Sequence, residues 1–217
     1  MPRVTAADST AGAAAPRRSV EVELKFDADT ETSLPNWISV PGIASVGAGE
    51  VRELDARYLD TTEFALASAG FALRRRTGGG DAGWHIKGPR VGNGRVELHW
   101  PLGSAGEVPA PALEVLADVT QDPLLPLARI QNSRTAYALR DAAGGVLAEF
   151  ADDVVSTLDE RSGVERSWRE WEVELGPAAP DDAEWRAAFF AAVETAVISA
   201  GGKAAASESK LARALGY

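Results

Sequence analysis

The segment Val20 to Phe26 reads VEVELKF, a strict alternation with Val20, Val22, Leu24 and Phe26 on one side and Glu21, Glu23 and Lys25 on the other. A period of two puts alternate side chains on opposite faces of a β-strand, so the folded part of this chain opens in a sheet. The pattern returns in strand-like runs at roughly 51–60, 71–77, 83–88, 95–100, 129–140, 146–155 and 167–175. Gly78, Gly79 and Gly80 separate two of these runs and Gly92-Asn93-Gly94 the next two, as tight antiparallel turns require. The sheet is therefore expected to be mainly antiparallel. Between Asp181 and Ala200, Trp185, Phe189, Ala192, Val193, Ala196 and Val197 recur at helical spacing behind an Asp181-Asp182 cap, and Gly201-Gly202 ends the run. Shorter helices are expected near 30–39, near 62–69 and from Ser207 to Leu215. This is the pattern of a strand-rich α+β domain.

Residues 1–18 are small, without periodicity, and are expected to form a disordered tail ahead of one domain over 19–217. The chain of 217 residues is long enough to bury a sizeable core. Lys plus Arg number 22 against 32 Asp plus Glu, a net charge of −10, which argues against broad binding to nucleic acid or to an acidic membrane surface. There is no Cys, so disulfides and thiolate metal sites are excluded; with only His85 and His99 available, a metal would rely on carboxylates. No basic-then-apolar leader and no run near the roughly 20 apolar residues of a membrane span is present, which makes a cytoplasmic protein without membrane or nucleic-acid partners the expectation.

The charged faces carry more information. Glu170, Glu172 and Glu174 share one face of their strand, as do Glu21, Glu23 and Lys25; Arg74 pairs with Arg76, His85 with Lys87, and Arg95 with Glu97. An ordinary half-solvated sheet also has an apolar and a polar side, but its polar side mixes Thr, Ser, Gln, Lys and Glu. Here acids cluster on two strands far apart in sequence, and Arg and Lys on the strands between. Like charges at i, i+2 repel unless something opposite joins them. Hard divalent cations want several oxygen ligands, and a chain of phosphates accepts charge-assisted hydrogen bonds from several cations. If the sheet closes, its charged faces line a polar tunnel and its apolar faces need helices outside.

Glu21-x-Glu23-x-Lys25 resembles the ExExK signature of the CYTH superfamily, the triphosphate tunnel metalloenzymes, and in particular the CYTH domain of bacterial inorganic triphosphatases. The ordered set that follows is more specific: Tyr58-Leu59-Asp60-Thr61, Gly70 to Arg76, Trp84-His85-Ile86-Lys87, Arg95-Val96-Glu97, Arg134-Thr135, the acidic stretch Glu149 to Asp153, the Glu170/Glu172/Glu174 strand, and Ser207-x-Ser209-Lys210-Leu211. The resemblance covers about residues 19–217 and implies an eight-stranded antiparallel closed barrel, with helices outside, that takes a triphosphate-containing small molecule along its axis and Mg²⁺ or Mn²⁺ at one side. Carried onto matching positions, it implies Glu21, Glu23, Glu172 and Glu174 as metal ligands, supported by Glu97 and by Asp152 or Asp153, with strand parity to Glu149 favouring Asp153. It implies Lys25, Arg74, Arg76, Lys87, Arg134 and Lys210 as phosphate ligands, with Arg95 in addition. Glu172, Glu174, Tyr58 and Lys87 compete as the group that activates water.

Two departures stand out. Where relatives often carry a denser Arg-rich run, this chain has Arg129-Ile130-Gln131-Asn132-Ser133, so a phosphate contact is expected to be missing there. Many relatives also continue into a helical, histidine-rich CHAD domain, whereas this sequence stops at Tyr217, as a stand-alone form or a shortened piece would.

The chemistry expected is phosphoryl transfer by positioning and charge neutralisation: one cation bridges phosphate oxygens while a second cation, or a carboxylate, activates water for in-line attack. The favoured activity is metal-dependent hydrolysis of inorganic triphosphate to pyrophosphate and orthophosphate, by a monomer or homodimer. The alternatives are a class IV adenylate cyclase, a thiamine triphosphatase, or a non-catalytic polyphosphate- or nucleotide-binding module. Asp60, followed by Thr61-Thr62-Glu63, reads as a helix cap, His85 as a substrate contact or a satisfied lumen histidine, His99 as structural, and Trp168, Trp171 and Trp185 as packing residues.

Overall fold

The computed structural model describes residues 15–91, 94–103, 106–207 and 209–217. The alternating runs close into a wall. Strand β1 (Arg17–Ala28) pairs with β6 (Gly94–Pro101) through Arg17 to Val22 and with β9 (Glu165–Leu175) through Glu23 to Ala28, so one strand joins the two edges of the sheet. From β6 the ring continues through β5 (Gly83–Val91), β4 (Ala72–Thr77), β3 (Glu50–Asp60), β7 (Leu125–Arg140) and β8 (Val146–Asp159) back to β9, every neighbour antiparallel. This is the expected eight-stranded closed barrel, with helices outside. Two-residue strands β2 (Ser45–Val46) and β10 (Lys203–Ala204) add to the rims.

Because side chains alternate, closure sends each charged face inward and leaves each apolar face needing cover. Helix α3 (Ala183–Ala200) supplies it on one side: Phe189, Phe190, Val193 and Val197 pack on Phe26, Phe150, Trp171 and Val173. The helix starts where Asp182 accepts from the Trp185 amide at 2.6 Å and stops at Gly201, whose φ of 99° suits a residue without Cβ. Helices α1 (Ala65–Ser68) and α2 (Ala110–Leu116) cover Leu73, Trp84, Ile86 and Trp100 on the opposite side.

Several boundaries differ from the sequence reading. Arg17 and Arg18 belong to β1, so the folded domain starts before residue 19; residues 1–14 of the expected tail, and the Gly92-Asn93 part of the expected turn, lie outside the described residues. The helix expected near 30–39 is a single 3-10 turn at Trp37–Ser39, and α2 was not expected, because Pro109-Ala110-Pro111 reads as a loop. Helix α4 (Lys210–Leu215) does not pack outside. It caps the barrel interior, with Leu211, Ala214 and Leu215 against Ala56, Tyr58, Ile130, Val155 and Trp168. Among the described residues, no helix is long and apolar enough to cross a membrane.

Candidate active site

The barrel encloses a cavity of about 980 Å³ whose wall carries most of the charged residues singled out from the sequence. Glu21, Glu23, Lys25, Tyr58, Arg74, Arg76, Lys87, Arg95, Arg134, Glu172, Glu174 and Lys210 all line it. Glu97 and Asp153 are buried in the wall behind them, at 6% and 0% exposure. Asp152 is not brought to the tunnel. It points outward, where Arg169 grips both its oxygens at 2.8 and 3.0 Å and the Trp171 indole donates at 3.0 Å, so of the two candidate aspartates only Asp153 faces inward.

Cations hold some of these carboxylates and leave others. Glu172 meets Lys25, Arg134 and Lys210, and Asp153 takes a bidentate contact from Arg134 at 2.7 and 2.8 Å and Lys210 at 2.9 Å. Although burial opposes charge on both, these neighbours hold both below the usual carboxylate range. Asp153, Glu170 and Glu172 form the compact acidic group of the described residues, and the Lys210 ammonium sits among all three at 2.5 to 2.9 Å. Lys210, not a vacancy, neutralises that group. Glu97 is likewise claimed, by the His85 ring, by Lys87 at 3.4 Å and by Arg74 at 3.5 Å.

Glu23 and Glu174 are different. They stand directly opposite each other across the β1–β9 ladder, and Glu174 is in turn opposite Glu149 across β8. Glu23 has one partner, Lys25 at 3.0 Å, while Glu174 makes no ion pair or side-chain hydrogen bond among the described residues. Burial, reinforced by Glu23, pushes Glu174 up to about 7. Glu21 also reaches about 7 through burial, although Lys87 at 2.6 Å opposes the rise. Opposed buried carboxylates repel, and an added cation with a preference for oxygen relieves them. The donor types and the β1–β9 register therefore suit a hard divalent ion at Glu23 and Glu174, with Glu21 two residues along the same face, and the ion itself would draw these oxygens together, since among the described residues only Asp153, Glu170 and Glu172 have ligand atoms within 4.8 Å of one another.

Two tunnel arginines keep unused donors. The Nε atoms of Arg74 and Arg76 are buried without a hydrogen-bond partner. Burial and the neighbouring Arg74 lower Arg76 to about 9. Arg74 donates to the Tyr58 hydroxyl at 3.2 Å. Burial and Arg74 weigh against charge on Lys87, yet Glu21 and Glu97 outweigh them and raise its pKa. Buried donors of this kind accept an anion at little further desolvation cost. Arg95 has a more structural part, donating to the carbonyls of Gly88 at 2.7 Å and Gly70 at 3.2 Å.

The remaining sequence features fall into place. Asp60 accepts from the amides of Thr61, Leu66 and Ala67 at 2.7 to 3.0 Å and so caps α1 as expected. In the stretch that departs from the Arg-rich pattern, Ile130 and Asn132 line the cavity, while Arg129 is bound to Asp55 at 2.5 Å and contributes no cation. The sequence reading passed over Arg17, Arg52 and Asp81, which also line the cavity. Parity with Glu21 would have found Arg17, and parity with Tyr58 would have found Arg52, which binds Glu149 at 3.0 Å. Asp81 sits at a hairpin tip, where no periodicity applies.

A CYTH domain model matches residues 19–207. Two uncharacterized proteins of Mycobacterium tuberculosis, from strains CDC 1551 and H37Rv, are each 37% identical over 213 residues, covering 93% of this chain and 41% of their own length. The chain thus spans about two fifths of the curated relatives it matches. Among solved structures, a candidate adenylate cyclase from Bacillus halodurans superposes with a TM-score of 0.61 at 18% identity, over 90% of this chain and 97% of that one. A Hippeastrum protein described as a candidate adenylyl cyclase with a dominant triphosphatase activity superposes with a TM-score of 0.54 at 17% identity, over 90% and 94%. The latter likenesses concern the fold; the family model and the mycobacterial relatives show that the chain belongs to the CYTH domain family.

Proposed function

We propose that the protein hydrolyses inorganic triphosphate to pyrophosphate and orthophosphate with the help of Mg²⁺ or Mn²⁺. The observation that carries this reading is the mixed wall: Arg74 and Arg76, each with a buried, unpartnered Nε, face the same cavity as Glu174, a buried carboxylate with no ion pair among the described residues that stands opposite Glu23. Arg74, Arg76, Lys87, Lys25, Arg134 and Lys210 bind and align the phosphates, the entropic part of the catalysis. Glu23 and Glu174, with Glu21, would hold the divalent ion, which when bound neutralises phosphate charge and acidifies water.

Of the four groups considered for water activation, Glu174 is the best suited. Glu172 is held ionised by Lys25, Arg134 and Lys210 and is a weak base, and Glu21 and Glu97 keep Lys87 protonated. The Tyr58 hydroxyl is buried and accepts from Arg74. Glu174 makes no ion pair or side-chain hydrogen bond among the described residues, so a carboxylate oxygen not given to the ion would be free to orient the attacking water.

A second reading, cyclisation of ATP, draws on Phe64, Phe71 and Tyr217, aromatic residues of the cavity lining on which a base could stack. One assay separates the two. Purified protein is given inorganic triphosphate, ATP or thiamine triphosphate with Mg²⁺, Mn²⁺ or chelator, and orthophosphate, pyrophosphate and cyclic AMP are measured. Metal-dependent orthophosphate release from inorganic triphosphate is expected. Cyclic AMP with pyrophosphate would favour the cyclase, and triphosphate binding without turnover a binding module.

A further inference from the structure

The turn between β4 and β5 carries Gly78, Gly79, Gly80 and Asp81, and its last three residues line the cavity. Its path is set by the backbone. Gly78 has a φ of 79°, and a Cβ there would lie 1.8 Å from the Glu53 carbonyl oxygen, so the chain passes hard against β3 before the tip opens out. Gly80, by contrast, has nothing within 4 Å of its Cβ position. The Asp81 backbone is anchored, because its carbonyl accepts from His85 Nε2 at 3.0 Å and the ring of His85 is itself held by Glu97. The Asp81 side chain is the less confined part, 40% exposed, and it is paired with the Arg76 guanidinium, which is 11% exposed.

Arg76 is thus a buried tunnel cation with an unpartnered Nε and an internal carboxylate on its terminal nitrogen. A phosphate that reached Arg76 would meet that carboxylate in its place, and two anions cannot share one guanidinium without repulsion. Resting on the triphosphatase reading above, we propose that Asp81 is a specificity-determining residue that acts as an internal competing anion. It holds Arg76 while the tunnel is empty, swings outward about its anchored backbone when the substrate's phosphates arrive, and reclaims Arg76 from the pyrophosphate product. An anion with many contacts along the tunnel offsets the loss of the Asp81–Arg76 pair, whereas a shorter product does so less well and leaves.

The test is calorimetric titration of pyrophosphate into the protein in Mg²⁺ buffer, alongside KM and kcat for inorganic triphosphate. Asp81→Asn and Asp81→Ser are expected to tighten pyrophosphate binding about tenfold, equivalent to about 1.4 kcal/mol, and to lower KM without raising kcat. Asp81→Glu is expected to stay near the native affinity. In an Arg76→Gln background, Asp81→Asn is expected to change nothing, since the contested cation is gone. Unchanged or weakened binding by both Asp81→Asn and Asp81→Ser would overturn the proposal. So would an equal gain from Glu63→Gln, which removes a charge from another part of the cavity rim, because the effect would then be one of general charge. Native protein that neither binds pyrophosphate nor turns over triphosphate would overturn the functional reading and this proposal together, whereas native binding insensitive to Asp81 would overturn this proposal alone.

Discussion

At the scale of single residues, the tunnel sorts its carboxylates by what already neutralises them. Glu172, Asp153 and Glu97 have resident cations, and Glu23 and Glu174 face each other with little between them. Replacing Glu23 by Gln is therefore expected to lower kcat by about 10²–10³-fold while weakening triphosphate binding only modestly, read by steady-state kinetics and calorimetry; unchanged hydrolysis would refute the ligand assignment. Glu174 at about 7 has a pH consequence. Its folded pKa is raised, so its contribution to stability is present at acid pH and is lost as pH rises through about 7 and the buried charge forms opposite Glu23. Glu174→Gln should then raise the melting temperature of chelator-treated protein at pH 8 by on the order of a few degrees, and much less at pH 5.5. Mg²⁺ added at pH 7 in weak buffer should release protons, since ligands must be ionised to bind. Replacing Lys210 is expected to act on stability in the opposite sense to replacing Glu174. Lys210→Met would leave Asp153, Glu170 and Glu172 buried without their shared ammonium and should cost about 3–5 kcal/mol in denaturant unfolding, part of it recovered by divalent ions.

At the scale of elements, helices and strands play separable parts. Helix α3 covers the outer apolar face of β1, β8 and β9, and none of its described residues lines the cavity, so its cap tests stability without chemistry. Asp182→Ala removes the acceptor for the Trp185 amide and is expected to cost about 1 kcal/mol, with KM and kcat unchanged. The strands were legible because alternation is a local property: VEVELKF and WREWEVEL each declare two faces before any partner is known. Helix α3 was legible for a similar reason, through its periodicity, its Asp182 cap and its Gly201 stop. Helix α2 was not, because Pro109 and Pro111 suggest a loop and only the packing of Ala112 and Leu116 under Trp84 and Trp100 makes the turn helical. The place of α4 was also hidden. Ser209 marks its start, but nothing local says that Leu211 and Leu215 turn into the barrel and carry Lys210 with them.

At the scale of the whole molecule, a chain of net charge −10 keeps a cluster of Arg and Lys inside a barrel. A net-acidic chain that confines a cluster of its Arg and Lys, interleaved with carboxylates, to a cavity disfavours binding to extended polyanions while accepting small ones that fit the cavity. Triphosphate binding should weaken as salt rises, less steeply than for an exposed basic patch because the lumen charges are partly screened from solvent already. Chelation is expected to remove turnover while leaving measurable anion binding, checked by titrating triphosphate into protein in chelator; loss of both together would mean that the metal, rather than Arg and Lys, carries the affinity.

The sequence by itself determined the strand faces, the antiparallel character, the long helix and the residue types that confront one another, because these follow from periods of two and 3.6 and from capping chemistry. Tertiary structure decided what alternation cannot express. Closure through β1 placed Arg17 at the tunnel and Glu23 opposite Glu174, a pairing of residues far apart in the chain. Register on β8 turned Asp153 inward and gave Asp152 to Arg169, and packing of α4 set Lys210 among three carboxylates. Those outcomes depend on which distant strands share a ladder and on which buried charge finds which partner, and both are fixed only when the barrel closes and water leaves the wall.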